Sequence, residues 1–278
     1  MGTKRLARNP RDRELLGFAA EHRFVLAEQA AELLSLTAAS ADARLRALAR
    51  ASLMTREQGL PRLPVHRITR HGLDAIGSDL SPPRLDLRCY EHDVGVTWLW
   101  LAARRGAFGT AQAVVGERRL RSRDAGRDPG EPPLAVRLGG LGPAGRERLH
   151  YPDLLIVSPD GRRLALELEL TSKGRRRRER ILAGYGADAR IDGVIYLVRD
   201  VRIGRSIADS AGRLGISPWV WVRPVVLDTG LSEQAAEIGG GRAGAPSARA
   251  RGAPSARASR AAAEDRRAQE PVTSGAGR

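Results

Sequence analysis

Between residues 11 and 77 the apolar positions recur first at helical and then at alternating spacing, which predicts three short helices followed by a hairpin. The first helix carries Leu15, Leu16 and Phe18. The second starts near Leu26 and carries Ala30, Leu33 and Leu34. Ser35 or Thr37 can cap a third, on which Ala41, Leu45 and Leu48 form an inward stripe and Ser40, Ala43, Arg44, Ala47 and Arg50 face outward. Leu53 to Arg56 and Val65 to Thr69 read as two strands around a polar, Pro-containing loop, with Thr69 capping a helix from Arg70 to Ile76. Residues 78 to 88 read as a linker, because Pro82-Pro83 forbids helix there.

A longer helix is expected from Glu91 to Arg105, with Val94, Trp98 and Leu101 on one side. Residues 111 to 122 read as a strand, and Asp124 to Arg148, rich in Gly, Pro and Arg, as a long loop. Leu154 to Val157 and Leu164 to Leu170 are apolar strands joined through Asp160-Gly161 as a hairpin. A helix running to about Tyr185, a strand Val194 to Val198, a helix near Ile207 to Leu214 and a strand from Trp219 to Leu227 complete the pattern. The fold class is therefore α/β, α+β overall, with residues 11–77 and 89–229 as two domains. Residues 1–10 read as a flexible start. Beyond Gly230 periodicity disappears and Gly-Ala-Pro-Ser-Ala-Arg-Ala occurs twice, so 230–278 is expected to be a disordered, weakly basic tail.

Composition changes the picture in one direction. The 278 residues carry a net charge of +15, nearly all of the cations being Arg, whose fork binds phosphate oxygens bidentately. Arg enrichment also accompanies a GC-rich genome, which accounts for part of the excess. One cysteine, Cys89, excludes an internal disulfide and a multi-cysteine zinc site, and fits a reducing cytoplasm. The longest strongly apolar run, Val94 to Ala103, is far below the ~20 residues of a membrane span. Met1 to Arg13 lacks the apolar core of a signal peptide.

The candidate chemistry lies in one hairpin. Alternation places Leu164, Leu166, Leu168 and Leu170 on one face of the second strand and Ala165, Glu167, Glu169 and Thr171 on the other, while Asp153 heads the first strand. Asp153 and Glu167 would meet at one end of a small sheet and share Mg²⁺, which activates water and offsets charge building on a phosphate. Glu169 stands beside them, and Lys173 can reach back to supply a cation. The alternative is a hairpin whose Glu167 and Glu169 face water or pair with Arg162, Arg175 and Arg178. The five histidines have no ligand-like spacing, although His150, three residues before Asp153, can approach the metal or a leaving group. Core packing accounts for the four tryptophans. Gly139 to Pro143 lacks the ending of a phosphate loop.

The order of elements in 11–77, with the run Val65-His66-Arg67-Ile68-Thr69-Arg70-His71-Gly72-Leu73, resembles a winged helix-turn-helix domain. That resemblance implies a third helix in the major groove, with Ser40, Ala43, Arg44 and Ala47 near base edges, Arg46 and Arg50 near phosphates, and Arg62 and Arg67 on the wing side. Arg175 and Arg178 would add phosphate contacts from the second domain. Pro152-Asp153 and Glu167-Leu168 match the PD-(D/E)xK nuclease superfamily, although Glu169 occupies the expected lysine position. Together the two halves, with His92 in Tyr90-Glu91-His92-Asp93-Val94, resemble the replication-relaxation family of plasmid and mobile-element proteins over residues 10 to 227. The resemblance implies double-stranded DNA and replication or transfer proteins as partners. An active Mg²⁺-dependent endonuclease and a protein-interaction module without DNA binding are the alternatives.

Overall fold

The computed structural model describes residues 9–58, 64–128, 130–142 and 145–227. Arg62 and the 230–278 tail lie outside the described residues. Helix α1 (Pro10–Glu21) starts at Asn9, whose side chain accepts from the Arg11 N–H, with Pro10 at the first helical position, where its missing N–H costs nothing. Helix α2 (Ala27–Leu34) ends on a left-handed Ser35. Of the two candidate caps for α3 (Ala38–Arg50) it is Thr37 that accepts from the Ser40 N–H. Ala41, Leu45 and Leu48 are fully buried, the inward stripe that the spacing predicts.

Strands β1 (Met54–Gln58) and β2 (Pro64–Ile68) pair antiparallel, and Thr69 caps α4 (Arg70–Ile76) by accepting from the Gly72 N–H. Gly72 has a packing reason to be glycine. A Cβ there would lie 2.2 Å from the Leu53 carbonyl oxygen. The 78–88 stretch, read as a linker, holds no helix or strand before a short 3₁₀ turn at Leu87–Cys89, yet it is pinned along its length. Leu80 is buried, the Pro83 carbonyl accepts from Arg67, and the Ser81 carbonyl accepts from Arg118.

Helix α5 (Tyr90–Arg104) leads into β3 (Ala113–Gly116), the first chain element of a five-stranded mixed sheet ordered β3-β6-β7-β8-β9. Strand β3 pairs antiparallel with β6 (Leu154–Val157), which pairs antiparallel with β7 (Arg163–Glu169) through a turn where Gly161 has φ 84°. Strands β8 (Gly193–Val198) and β9 (Val220–Pro224) then add in parallel, each after a crossover helix: α7 (Arg175–Ala187) and α8 (Val201–Arg213). One sheet face, through Leu154, Ile156, Leu166, Leu168, Ile195 and Leu197, packs against α5 and shares an apolar cluster with α1 to α4. The other, through Ala165, Val194, Tyr196 and Val198, is covered by α7 and α8.

Two sequence expectations are corrected. Residues 111–122 are not one strand: β3 stops at Gly116, and the charged run that follows forms α6 (Glu117–Ala125), with an i,i+4 pair between Glu117 and Arg121 and only Leu120 buried. Residues 124–148 are not simply a loop. The Asp124 carboxylate accepts from the Leu134 and Ala135 N–H groups and from the Tyr151 hydroxyl, and this leads the chain into a ribbon of β4 (Val136–Leu141) and β5 (Glu147–His150). Among the described residues no helix is long and apolar enough to cross a membrane.

Candidate functional site

The β6–β7 register pairs Leu154 with Leu166, so Asp153, one residue earlier, stands across from Glu167. Strand β6 begins only at the next residue, and the Leu168 N–H donates to the Asp153 side chain, Oδ2, at 2.8 Å. The same oxygen lies 3.2 Å from His92 Nε2, on the first turn of α5. Burial alone would raise the Asp153 carboxyl. The His92 imidazolium and the Leu168 N–H outweigh it and hold the group below the usual carboxylate range. His92 responds in kind: burial opposes its charge, but Asp153 and then Asp93 push its pKa up to about 10.

Glu167 is 1% exposed, on the face of β7 that α7 and α8 cover. That corrects the reading of Glu167 and Glu169 as an open polar face paired with Arg162, Arg175 and Arg178. Those arginines bond instead to Asp160, to Glu179, and to Ser210 with the Lys173 carbonyl. Glu167 Oε1 lies 2.7 Å from His150 Nε2, at the end of β5, and accepts from the Tyr185 hydroxyl of α7. Burial opposes the His150 cation, yet Glu167 holds its pKa above the ordinary value. Burial and then Glu167 push the Tyr185 hydroxyl well up, so it stays a donor.

Glu169, 5% exposed, forms an ion pair with Lys173 in the turn before α7. The lysine therefore does reach back. Burial raises the Glu169 carboxyl against the pull of Lys173, and the ammonium, disfavoured by burial, is held above its ordinary pKa by Glu167 and Glu169. Arg178 fastens this turn. Its Nε donates to Ser210 Oγ at 3.0 Å and its guanidinium to the Lys173 carbonyl at 3.1 Å. Expected at a DNA surface, Arg178 is buried and committed to the protein.

Sequence reasoning missed Tyr185 as a partner of Glu167 and gave His150 too little weight. The signal for Tyr185 was its place in the Ile181, Leu182, Tyr185 stripe that faces β7. Among the described residues no group of three or more His, Cys, Asp or Glu is placed to hold a metal ion. The two carboxylates at the strand ends do share one property. Asp153 Oδ2 and Glu167 Oε1 take the hydrogen bonds described above, whereas Asp153 Oδ1 and Glu167 Oε2 take none among the described residues.

The residues expected to touch DNA on the N-terminal helices are unevenly available. Arg44 is turned onto the carboxylate of Asp12, which is 1% exposed, so this arginine serves the fold rather than an outward face. Arg67 is held by Glu57 and by the Pro83 carbonyl. Arg46 makes a surface pair with Asp42 at 2.9 Å, worth little and easily exchanged, and Arg175 makes a similar one with Glu179. Ser40 and Arg50 are exposed.

The N-terminal helices are fastened to the sheet by two arginines of α6. Arg118 donates to the carbonyls of Ala20, His22 and Ser81, and Arg119 pairs with Glu21 and Asp79. Beside this joint a cavity of about 40 Å³ lies between His22, Arg23, His92, Asp93, Glu117 and Asp153. The chain matches no family model, no curated protein and no solved structure.

Proposed function

We propose that this is a DNA-binding protein acting in replication or mobilisation of a plasmid or other mobile element. In this reading residues 11–77 are a winged helix-turn-helix and 89–229 a PD-(D/E)xK nuclease-like domain. The observations that carry it are Asp153 standing across from Glu167 where β6 begins and the Glu169–Lys173 ion pair at the end of β7, on a mixed sheet whose helices also bear exposed arginines. Arg50 and the exposed Arg175, Arg176 and Arg177 are the available phosphate ligands, and each phosphate neutralised releases counterions. Duplex binding by the full chain, followed in a gel shift at several salt concentrations, should weaken steeply as salt rises. No binding at low salt would refute the proposal and favour a protein-interaction module.

One observation favours a second reading, a Mg²⁺-dependent DNA endonuclease. Lys173 brings an ammonium to Glu169, which supports replacement of the cation missing from the expected lysine position. Mg²⁺ binds through one or two carboxylates together with water and substrate phosphate, and the free oxygens of Asp153 and Glu167 suit that habit. The bound ion would supply a Lewis acid and an activated water. His92 and His150 would then orient the two carboxylates, Tyr185 would steady Glu167, and Lys173 would balance Glu169 beside the phosphate. Supercoiled plasmid nicked with Mg²⁺ by the native chain but not by Asp153→Asn supports this reading. Equal nicking by both would sink it.

A further inference from the structure

The β4–β5 ribbon forms a sheet separate from the five-stranded one and is anchored through the residues near its base. There Val136 is buried among Ile181, Leu182 and Tyr185, and α7 crosses so closely that a Cβ on Gly184 would lie 2.8 Å from the Arg137 carbonyl oxygen. The outer part is open. Arg146, Glu147 and Arg148 are exposed, and Leu141, paired with Glu147, is 64% exposed. Side chains two apart on a strand share a face, so Arg148 and His150 lie on one side of β5, and Arg146, one residue before the strand, continues that spacing. Since His150 Nε2 sits 2.7 Å from Glu167, this side leads straight to the carboxylates. At ~3.4 Å per residue the two arginines stand about 7 and 14 Å out along the strand from His150.

The opposite side has a different character. It carries Leu149, Leu141 and Glu147, and Arg137 pairs with Glu147 at 3.1 Å, so its charges cancel. Arg146 and Arg148 have no carboxylate partner among the described residues, which leaves the net positive charge on the side that continues to His150. We infer that this side of the ribbon is a track for the backbone of duplex DNA, with Arg146 and Arg148 on successive phosphates leading the strand to Asp153 and Glu167. The inference rests on the DNA-binding reading above. A two-stranded ribbon suits this partner, since its width fits the major groove and its exposed arginines can make bidentate phosphate contacts.

Fluorescence anisotropy of a labelled duplex with the full chain tests it, comparing the native protein with Arg146→Ala/Arg148→Ala and with Arg137→Ala/Glu147→Ala on the opposite side. The first variant should lower the slope of log affinity against log salt by about 2 and weaken binding roughly tenfold or more at moderate salt, while the second stays within about twofold. Thermal melting should place all three proteins together, because the altered side chains are exposed. Native protein that binds duplex while the Arg146/Arg148 variant keeps its affinity and slope overturns the track alone. Loss of phosphatidylserine-vesicle binding in that variant, with DNA binding intact, reassigns the ribbon to membranes and also overturns it. Native protein that binds no duplex overturns both the track and the reading beneath it.

Discussion

His22 and His66 are buried as neutral rings, and each should contribute a loss of stability as the pH falls. His22 packs edge-on against Phe18 at 4.7 Å and against Trp100 at 5.5 Å, with Nε2 unpartnered. His66, on β2, is fully buried with both ring nitrogens unpartnered. Burial, then Arg118, lowers the His22 pKa to about 3; burial, then Arg56, lowers His66 to about 4. In the unfolded chain both return to 6.5, so the unfolded state binds more protons and stability rises with pH. The contribution is complete above pH ~6.5 and is lost as pH falls from there toward 4. At pH 5.5 the unfolded rings are ~90% protonated and the folded ones almost not at all, so each site costs about 1.4 kcal/mol, about 3 kcal/mol together. That is a large part of a stability of roughly 5–15 kcal/mol. His92 and His150, with raised folded pKa values, act in the opposite direction over the same window, so the loss is read as a difference: urea melts followed by tryptophan fluorescence at pH 7.5 and 5.5 should show about 3 kcal/mol less acid destabilisation in His22→Phe/His66→Leu than in the native protein. A pH dependence unchanged in the double variant, or ring signals of His22 and His66 titrating near 6.5 in the folded protein, would refute the reasoning.

Three other substitutions separate structural from functional arginines and test the carboxylate cluster. Arg44→Ala should cost about 3 kcal/mol in a thermal or urea melt, because it strands the buried Asp12 carboxylate; an unchanged melting temperature would mean that Arg44 does not serve the fold and would return it to the proposed DNA face. Arg118→Lys should lose about 2 kcal/mol and speed hydrogen exchange in α1 and α6, since one ammonium cannot serve the carbonyls of Ala20, His22 and Ser81 together. Tyr185→Phe leaves Glu167 with His150 as its remaining described partner and should cost about 1–2 kcal/mol at neutral pH by chemical denaturation; a neutral result would mean that the hydroxyl does not support Glu167.

What could be read from the chain follows the range of the interactions involved. The three helices, the Thr69 cap and the β6–β7 hairpin rest on local periodicity and on side chains bonding three residues away, and they appear where the pattern put them. The β4–β5 ribbon depends on Asp124 reaching ten and eleven residues ahead, and its Gly139-Gly140 and scattered arginines hide its strand alternation from a local window. The burial of Glu167 was illegible for a related reason. Ala165, Glu167, Glu169 reads as a solvated face until α7 and α8 cover it, and the partners that make it tolerable come from 17 residues before and 18 after. Arg44 shows the converse error: helical spacing turned it outward correctly, but its length lets the guanidinium fold back to Asp12.

If the DNA-binding reading holds, the joint at Arg118 and Arg119 turns α3 and the sheet end into a gauge. With three carbonyls and two carboxylates gripped by adjacent side chains, and an apolar cluster running from Leu15 to Leu197, α3 and the end of β7 hold a set spacing. On that reading a duplex seated on α3 would present its backbone to the sheet end a constant number of base pairs from the place being read. The offset would be written into the protein rather than into the DNA, and no hinge would absorb a change in it.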